Sequence, residues 1–224
     1  MNFEHTEEQR QLADSLGKYL AAHYGFEQRE LIIHSASGFG DAAWAAFAEM
    51  GLTAIALPEA DGGFGGGALD LMPVMEACGA ALVVEPLLDH IALGARLLAR
   101  AGSAAQRAAW LPGAIDGSVR LAFAGLQAGA ALRPRAGNDD AEAQRIGRGA
   151  ERPQVGGDRA PSATRIVVSA RRAARASCSS TRRSAACRSR PAAIDGQRAA
   201  DITFTKWRSA ATRCSMRRGR KRCR

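Results

Sequence analysis

Residues 57–67 read Leu57-Pro58-Glu59-Ala60-Asp61-Gly62-Gly63-Phe64-Gly65-Gly66-Gly67, and this run decides how the segments on either side can be joined. Five glycines between positions 62 and 67 open backbone conformations that other residues avoid, which is typical of a sharp turn. A phosphate-binding loop would instead open a helix after a buried strand and would be followed by a lysine at a fixed spacing. Neither condition is met, so the run is predicted to be a turn between helices.

Helical patterns lie on both sides of this turn. Before it, Thr6-Glu7-Glu8-Gln9 has the form of a capping box, and leucines at every fourth position predict a helix to about Tyr24. A second helix is predicted to begin at Asp41, which can cap it, and to stop at Gly51. Leucine spacing predicts a third helix from about Leu69.

The chain then changes from helix to strand. A fourth helix is predicted from about Pro86, and the capping-box pattern at residues 103–106 predicts a short fifth helix ended by Pro112. The alternation in Val119-Arg120-Leu121-Ala122-Phe123 predicts a strand. The fold class is therefore predicted to be mainly α, a helical N-terminal bundle followed by a β region.

The composition changes at about Gln127. Residues 1–127 contain seven Lys/Arg and fifteen Asp/Glu, whereas residues 128–224 contain twenty-four and seven. Large apolar residues fall from 40 of the first 127 positions to 11 of the last 97, so the second part is predicted to form a core poorly. An Arg-rich sequence with only two Lys is what a GC-rich gene yields when it is read out of frame. Strand patterns persist only at residues 166–168 and 200–205.

Several classes of site are disfavoured by the residue pattern. The cysteines after Cys78 form no C-x-x-C pair and the four histidines are scattered, so no metal site is predicted. The N-terminus lacks a secretory signal, and no uncharged apolar run approaches the ~18 residues of a membrane span. The sequence therefore predicts a cytoplasmic protein with no membrane segment. A polycationic tail attracts any nucleic acid, so no specific nucleic-acid partner is predicted.

Several motifs, in chain order, resemble the acyl-CoA dehydrogenase family. The Pro-Glu-x-Asp-Gly-Gly-x-Gly run at residues 58–65 is the most specific of them. The resemblance covers about residues 1–127, and residues 24–29 and 121–124 are most similar to the pimeloyl-CoA dehydrogenase small-subunit branch. The other matching pieces are residues 6–10, 44–52, 75–79, 102–107 and 110–112. Residues 163–171 and 194–204 are similar to the family's middle β domain, so compensating frameshifts are expected between them.

The resemblance implies an oxidoreductase that uses FAD to convert an acyl-CoA thioester to the 2,3-enoyl-CoA. It implies a helical N-terminal domain at residues 1–116 and a largely scrambled, partly disordered remnant of the middle β domain at 117–205. A basic disordered tail is expected at 206–224, with the family's C-terminal four-helix domain absent. The partners implied are an acyl-CoA substrate, an electron-transfer flavoprotein or similar acceptor, and further subunits of a homo- or hetero-oligomer.

The resemblance places flavin contacts at Phe123, Gly125 and Leu126, at the end of the predicted strand. Family members have Thr-Glu-Pro after this strand, whereas this chain has Gly125-Leu126-Gln127, so only backbone contacts are expected. The family's catalytic Glu lies in the C-terminal helical domain, and no residue here is nominated as the base. The chain is therefore expected to bind flavin poorly and to be inactive. The alternative is a non-catalytic helical module whose basic arm binds nucleic acid or a dehydrogenase partner subunit.

Overall fold

The computed structural model describes residues 4–124, 152–158, 161–168, 170–172, 175–177, 185–189 and 196–204. Six α-helices fill the first range: α1 Glu7–His23, α2 Phe26–His34, α3 Asp41–Glu49, α4 Ala68–Ala80, α5 Arg96–Ala101 and α6 Ala104–Ile115. Short 3-10 turns at Leu52–Ala54 and Glu59–Asp61 join α3 to α4, and a π-helical segment, Asp89–Ala95, runs directly into α5.

Local capping chemistry sets two of the helix starts, as predicted. The Gln9 N–H donates to Thr6 Oγ1 (3.2 Å) and the Thr6 N–H donates to Gln9 Oε1 (2.9 Å). The Ser103 and Gln106 pair repeats both bonds at the start of α6. Each pair satisfies two backbone N–H groups that a helix start otherwise leaves without partners. Gly51 adopts the left-handed conformation (φ 75°) after α3, which confirms its predicted role as the stop.

Two apolar clusters hold the helical part together. The larger one packs α1, α3 and α4 around Leu16, Phe47 and Val74, which are all fully buried. The smaller one joins the start of the glycine-rich turn to α5, α6 and the first strand through Leu57, Leu98, Leu111 and Leu121. The first strand is therefore part of the core of the helical domain.

The helices differ from the predictions in three places: one helix was not predicted, and two others begin or end differently. Helix α2 was not predicted, because it leaves its large apolar residues Phe26 and Leu31 77% and 67% exposed and so has no single apolar stripe. Asp41 is the first residue of α3 rather than its cap, and Gly40 precedes the helix without a side-chain bond. Pro112 does not end α6, which continues to Ile115 because burial of Leu111 and Ala114 outweighs the lost backbone bond.

Within the described residues, seven strands follow the helices. They are β1 Leu121–Ala124, β2 Arg152–Asp158, β3 Arg165–Val168, β4 Ala170–Arg172, β5 Arg175–Ser177, β6 Ala185–Ser189 and β7 Ala199–Phe204. β1 pairs with β3 in parallel, β7 lies between β2 and β6 in an antiparallel sheet, and β4 pairs with β5. The strands predicted at residues 166–168 and 200–205 are therefore present as β3 and β7. The predicted basic tail, 206–224, lies outside the described residues.

Arg198 joins the segment before β7 to the end of α2. Its guanidinium N–H groups donate to the carbonyl oxygens of Ile33 (2.8 Å), Ser35 (2.6 Å) and Ala36 (2.9 Å). The last carbonyls of a helix have no partners within the helix, and a cation there also interacts favourably with the helix dipole. Arg198 therefore stabilises α2 from a position more than 160 residues later in the chain.

Replacing Arg198 should loosen this connection. We expect Arg198→Ala to lower the free energy of unfolding by about 2 kcal/mol, because charged hydrogen bonds to the helix end are lost. A lysine at this position in Arg198→Lys retains the charge but lacks the planar fork that reaches several carbonyls. The free energy of unfolding should therefore fall by about half as much in this variant. Urea unfolding measures both values. Equal stability of Arg198→Ala and the parent chain would show that the contact contributes nothing.

Candidate functional site

Strand β1 has one edge bonded to β3 and one edge facing the helices. The Thr164 N–H donates to the Arg120 C=O (2.9 Å), and the Arg120 N–H donates to Thr164 Oγ1 (2.9 Å), so Arg120 faces β3. Successive backbone groups of a strand point to alternate sides. Leu121 and Phe123 therefore direct their N–H and C=O groups to the opposite edge, which we call the outer edge of β1.

The outer edge of β1 is bonded to His90 of the π-helical segment. The Leu121 N–H donates to His90 Nδ1 (3.0 Å), so Nε2 carries the ring proton and donates to the Ala114 C=O (2.9 Å). The Trp44 ring packs edge-on against the imidazole with centroids 5.1 Å apart, and Trp44 Nε1–H donates to the Gly117 C=O (2.8 Å). His90 therefore connects three elements: the π-helical segment, α6 and β1.

Burial keeps the His90 imidazole neutral. The side chain is fully buried, and this desolvation lowers its pKa from 6.5 to about 4. The nearby Arg120 cation acts in the same direction, while the bond to the Ala114 C=O opposes it. A neutral imidazole is required here, because only the unprotonated Nδ1 can accept from the Leu121 N–H. The sequence predicted no role for this histidine, because no local pattern distinguishes it from the other three.

The glycine-rich turn lies back over the segment before it. The N–H groups of Phe64, Gly65 and Gly66 donate to the carbonyls of Ala54, Leu57 and Ile55, at 2.8–3.1 Å. A Cβ at Gly66 would lie 2.6 Å from the Ile55 carbonyl oxygen, so this close approach requires glycine. Because these amides already have partners within the turn, they cannot cradle a phosphate, which agrees with the predicted turn.

A second buried polar group lies in the helical domain, between Tyr24 and Glu85. Tyr24 O–H donates to Glu85 Oε2 (2.7 Å) and its oxygen accepts from the Val84 N–H (3.0 Å). The Gly40 N–H donates to Glu85 Oε1 (2.9 Å), so this carboxylate, 3% exposed, has donors on both oxygens. Burial first, and then the Glu85 charge, raise the pKa of Tyr24 far above its ordinary value. The Tyr24 and Glu85 side chains are only 4% and 3% exposed and bond protein groups, so we interpret the group as structural.

Removing the Tyr24 hydroxyl tests that role. We expect Tyr24→Phe to lower the free energy of unfolding by about 2 kcal/mol, because a buried carboxylate oxygen and the Val84 N–H each lose a partner. Tyr19→Phe is the matched control, since the described residues provide no hydrogen-bond partner for the Tyr19 hydroxyl. Thermal and urea unfolding of the two variants give the comparison. A loss at Tyr24 no larger than at Tyr19 would contradict the prediction.

The helical domain, with β1 at its end, corresponds to a known family. The family model described as the acyl-CoA dehydrogenase N-terminal domain matches residues 6–118, just over half of the 224 residues. The chain belongs to the acyl-CoA dehydrogenase family. The predicted family is therefore confirmed, and with it the fold class, a mainly α protein with the helical N-terminal domain of acyl-CoA dehydrogenases.

Individual relatives agree with this assignment. Acyl-CoA dehydrogenase FadE12 of Mycobacterium tuberculosis is 38% identical over 84 residues, which are 36% of this chain and 21% of that protein. The ChsE4-ChsE5 complex from Mycobacterium tuberculosis is similar in fold, with a TM-score of 0.77 and 22% identity over 96% of this chain and 58% of that chain. This acyl-CoA dehydrogenase homologue therefore spans about a fifth of the length of its curated relative.

A third relative bears on the cofactor. Glutaryl-CoA dehydrogenase from Mycobacterium smegmatis, solved in complex with FADH2, has a TM-score of 0.73 and 11% identity over 89% of this chain and 53% of that chain. That neighbour of the same fold was solved with the reduced form of FAD, the cofactor that the family resemblance implies. The family is one of oxidoreductases, as predicted.

The structure describes one of the three residues predicted to contact flavin. Phe123 lies in β1, partly buried against the smaller apolar cluster, with its backbone groups on the outer edge. Gly125 and Leu126 lie outside the described residues. Among the described residues, no group of three or more His, Cys, Asp or Glu side chains could hold a metal ion. Within that same part of the chain, no helix is both long and apolar enough to cross a membrane.

The chemistry of the outer edge fits part of a flavin. A flavin ring has both hydrogen-bond donors and acceptors along its polar side, and a strand edge presents a backbone N–H and C=O at each alternate residue. Phe123 supplies one such pair, at the last residue of β1 whose backbone groups point to the outer edge. The residues present are therefore compatible with backbone contacts to a flavin, without any side-chain hydroxyl.

Proposed function

We propose that this chain supplies the helical domain and the first flavin-contacting strand of a FAD-dependent acyl-CoA dehydrogenase. Such an enzyme removes hydrogen from Cα and Cβ of an acyl-CoA thioester and produces the 2,3-enoyl-CoA. The observation that supports this most directly is the placement of the outer edge of β1 at the end of a helical domain of this family.

Each part of the chain has a limited role in this proposal. Bound FAD supplies the oxidising chemistry, so the protein's task is to hold it and exclude water. Phe123 would bind the polar side of the flavin through its backbone N–H and C=O. Gly125 and Leu126 would add backbone contacts only. No described residue is assigned as the catalytic base, so the proposal includes no turnover by this chain alone.

The proposed partners follow from the family. We expect an acyl-CoA as substrate, an electron-transfer flavoprotein or similar protein as acceptor, and assembly into a homo- or hetero-oligomer. The ChsE4-ChsE5 structure supports the last point, because a chain of this fold occurs there in a ChsE4-ChsE5 complex.

Flavin binding by the full chain tests the proposal. Titration with FAD, followed by quenching of flavin fluorescence, should show saturable binding by the folded chain. Phe123→Pro removes the backbone N–H from the outer edge, whereas Phe123→Leu keeps this N–H and a large apolar side chain. We expect the proline variant to weaken binding by at least about tenfold and the leucine variant by less than about threefold.

Circular dichroism of both variants shows whether the helical domain remains folded. No saturable binding by the folded parent chain would overturn the proposed function. Anaerobic addition of acyl-CoAs to the flavin-loaded chain completes the test. Bleaching of the flavin would show that the chain is catalytic by itself, contrary to the expectation from its sequence.

A further inference from the structure

The π-helical segment brings two residues of one face against the outer edge of β1. His90 bonds the Leu121 N–H, and Gly94 lies against the same residue. A Cβ at Gly94 would lie 2.5 Å from Leu121 Cβ and 3.2 Å from its carbonyl carbon and oxygen. Glycine at 94 therefore allows β1 to come close enough for the His90 bond to form. π-Helical turns are rare and are frequently found at functional sites.

The position of Leu121 also determines that of Phe123. The two residues are separated by one residue in the same strand, and their backbone groups point to the same edge. The other edge of β1 pairs with β3, with Ala122 opposite Ile166 and Phe123 opposite Val167. If Leu121 moved relative to the π-helical segment, the Phe123 N–H and C=O would therefore move with it.

We propose that His90 is a positioning residue for flavin binding: through its bond to the Leu121 N–H, and with the space left by Gly94, it sets where the Phe123 backbone groups lie. This inference rests on the proposed function. His90 contacts no flavin itself, since both ring nitrogens already bond the protein. The groups that surround it are Trp44, the Ala114 carbonyl and, at longer range, the Arg120 cation.

Two substitutions at position 90 separate positioning from general stability. An asparagine amide reaches the place of Nδ1, so His90→Asn can still accept from the Leu121 N–H while it loses the bond to the Ala114 C=O. A glutamine amide reaches the place of Nε2, so His90→Gln keeps the Ala114 bond and loses the Leu121 bond. Both variants lose one hydrogen bond, but only the second releases β1.

The experiment measures FAD affinity of the full chain at pH 7.5 by fluorescence quenching, with the visible flavin spectrum of each complex. We expect His90→Gln and Gly94→Ala to raise the Kd by about tenfold and to shift the spectrum, because one bond on the strand is lost or displaced. His90→Asn should stay within about threefold of the parent. Tyr24→Phe, which removes a hydroxyl that bonds Glu85 and Val84 and not His90 or β1, should leave the Kd unchanged.

Hydrogen exchange of the β1 amides distinguishes failure of this inference from failure of the proposed function. Protection of the Leu121 amide should fall in His90→Gln and persist in His90→Asn, whether or not FAD binds. If the parent chain binds no FAD, the proposed function fails and exchange alone decides whether His90 positions β1. Equal Kd values, or equal exchange rates, for the two His90 variants would overturn the inference.

Discussion

Between pH 6.5 and pH 4, the free energy of unfolding of this protein should fall by about 3 kcal/mol because of His90 alone. The folded chain keeps this imidazole neutral down to about pH 4, since its burial lowers the pKa from 6.5 to about 4. The unfolded chain exposes the ring to water, where it takes up a proton near pH 6.5. The unfolded state therefore binds more protons throughout this interval, and stability falls as the pH falls.

Urea unfolding at half-unit steps from pH 8 to pH 4 measures this dependence. Above about pH 7.5 His90 contributes almost no slope, because the ring is then neutral in both states. The pKa values of Asp70 and Asp116 are lowered, mainly by the Gly67 N–H and by Ser118, so these carboxylates lose their contribution below their ordinary value of 3.8. Protonation of these two carboxylates therefore lowers stability mainly at pH values below the interval in which His90 acts.

His90→Asn is the control for this titration. It removes the titrating ring and retains a polar group, so the variant should be less stable than the parent at pH 7.5 and should approach it as the pH falls to 4. The difference between the two curves isolates the histidine. Parallel curves across the whole interval would show that His90 takes up its proton equally well in the folded chain.

Features of the fold that depend on neighbouring residues could be predicted from the sequence. The capping boxes at Thr6 and Ser103 and the left-handed stop at Gly51 need only side chains within three or four positions. The period-two pattern at residues 119–123 likewise predicted a strand, which forms at Leu121–Ala124. In each case one local interaction is strong enough to fix the backbone, whatever the rest of the chain does.

The site depends on contacts between distant residues, which periodicity does not reveal. His90 and Leu121 are 31 positions apart, and Tyr24 and Glu85 are 61 positions apart. Both histidine nitrogens find partners only after α6 and β1 have packed on the π-helical segment. Helix α2 was missed for the same reason, since Arg198 and the Leu82 carbonyl, which accepts from Arg29 Nε, come from elsewhere in the chain.

A single methyl group added in the glycine-rich turn should lower the free energy of unfolding about as much as protonation of His90 does. We expect Gly63→Ala to lower the free energy of unfolding by about 3 kcal/mol, because the added Cβ would overlap the Leu57 carbonyl and Cβ. These are backbone and inner side-chain atoms, so no flexible end can move aside. The Gly63 N–H also donates to the Pro58 C=O (3.0 Å), and this bond holds the two sides of the turn together.

Gly17→Ala is the matched control, and it should have the opposite sign. Gly17 lies inside α1 with nothing within 4 Å of an added Cβ, so alanine there should raise the free energy of unfolding by about 0.5–1 kcal/mol. Thermal unfolding of the two variants compares the same chemical change in the two settings. If Gly63→Ala cost less than about 1 kcal/mol, the turn would be able to move away from Leu57. Since Leu57 is fully buried in the same cluster as Leu121, such movement would also reach the outer edge of β1, so the rigidity of this turn bears directly on the proposed flavin site.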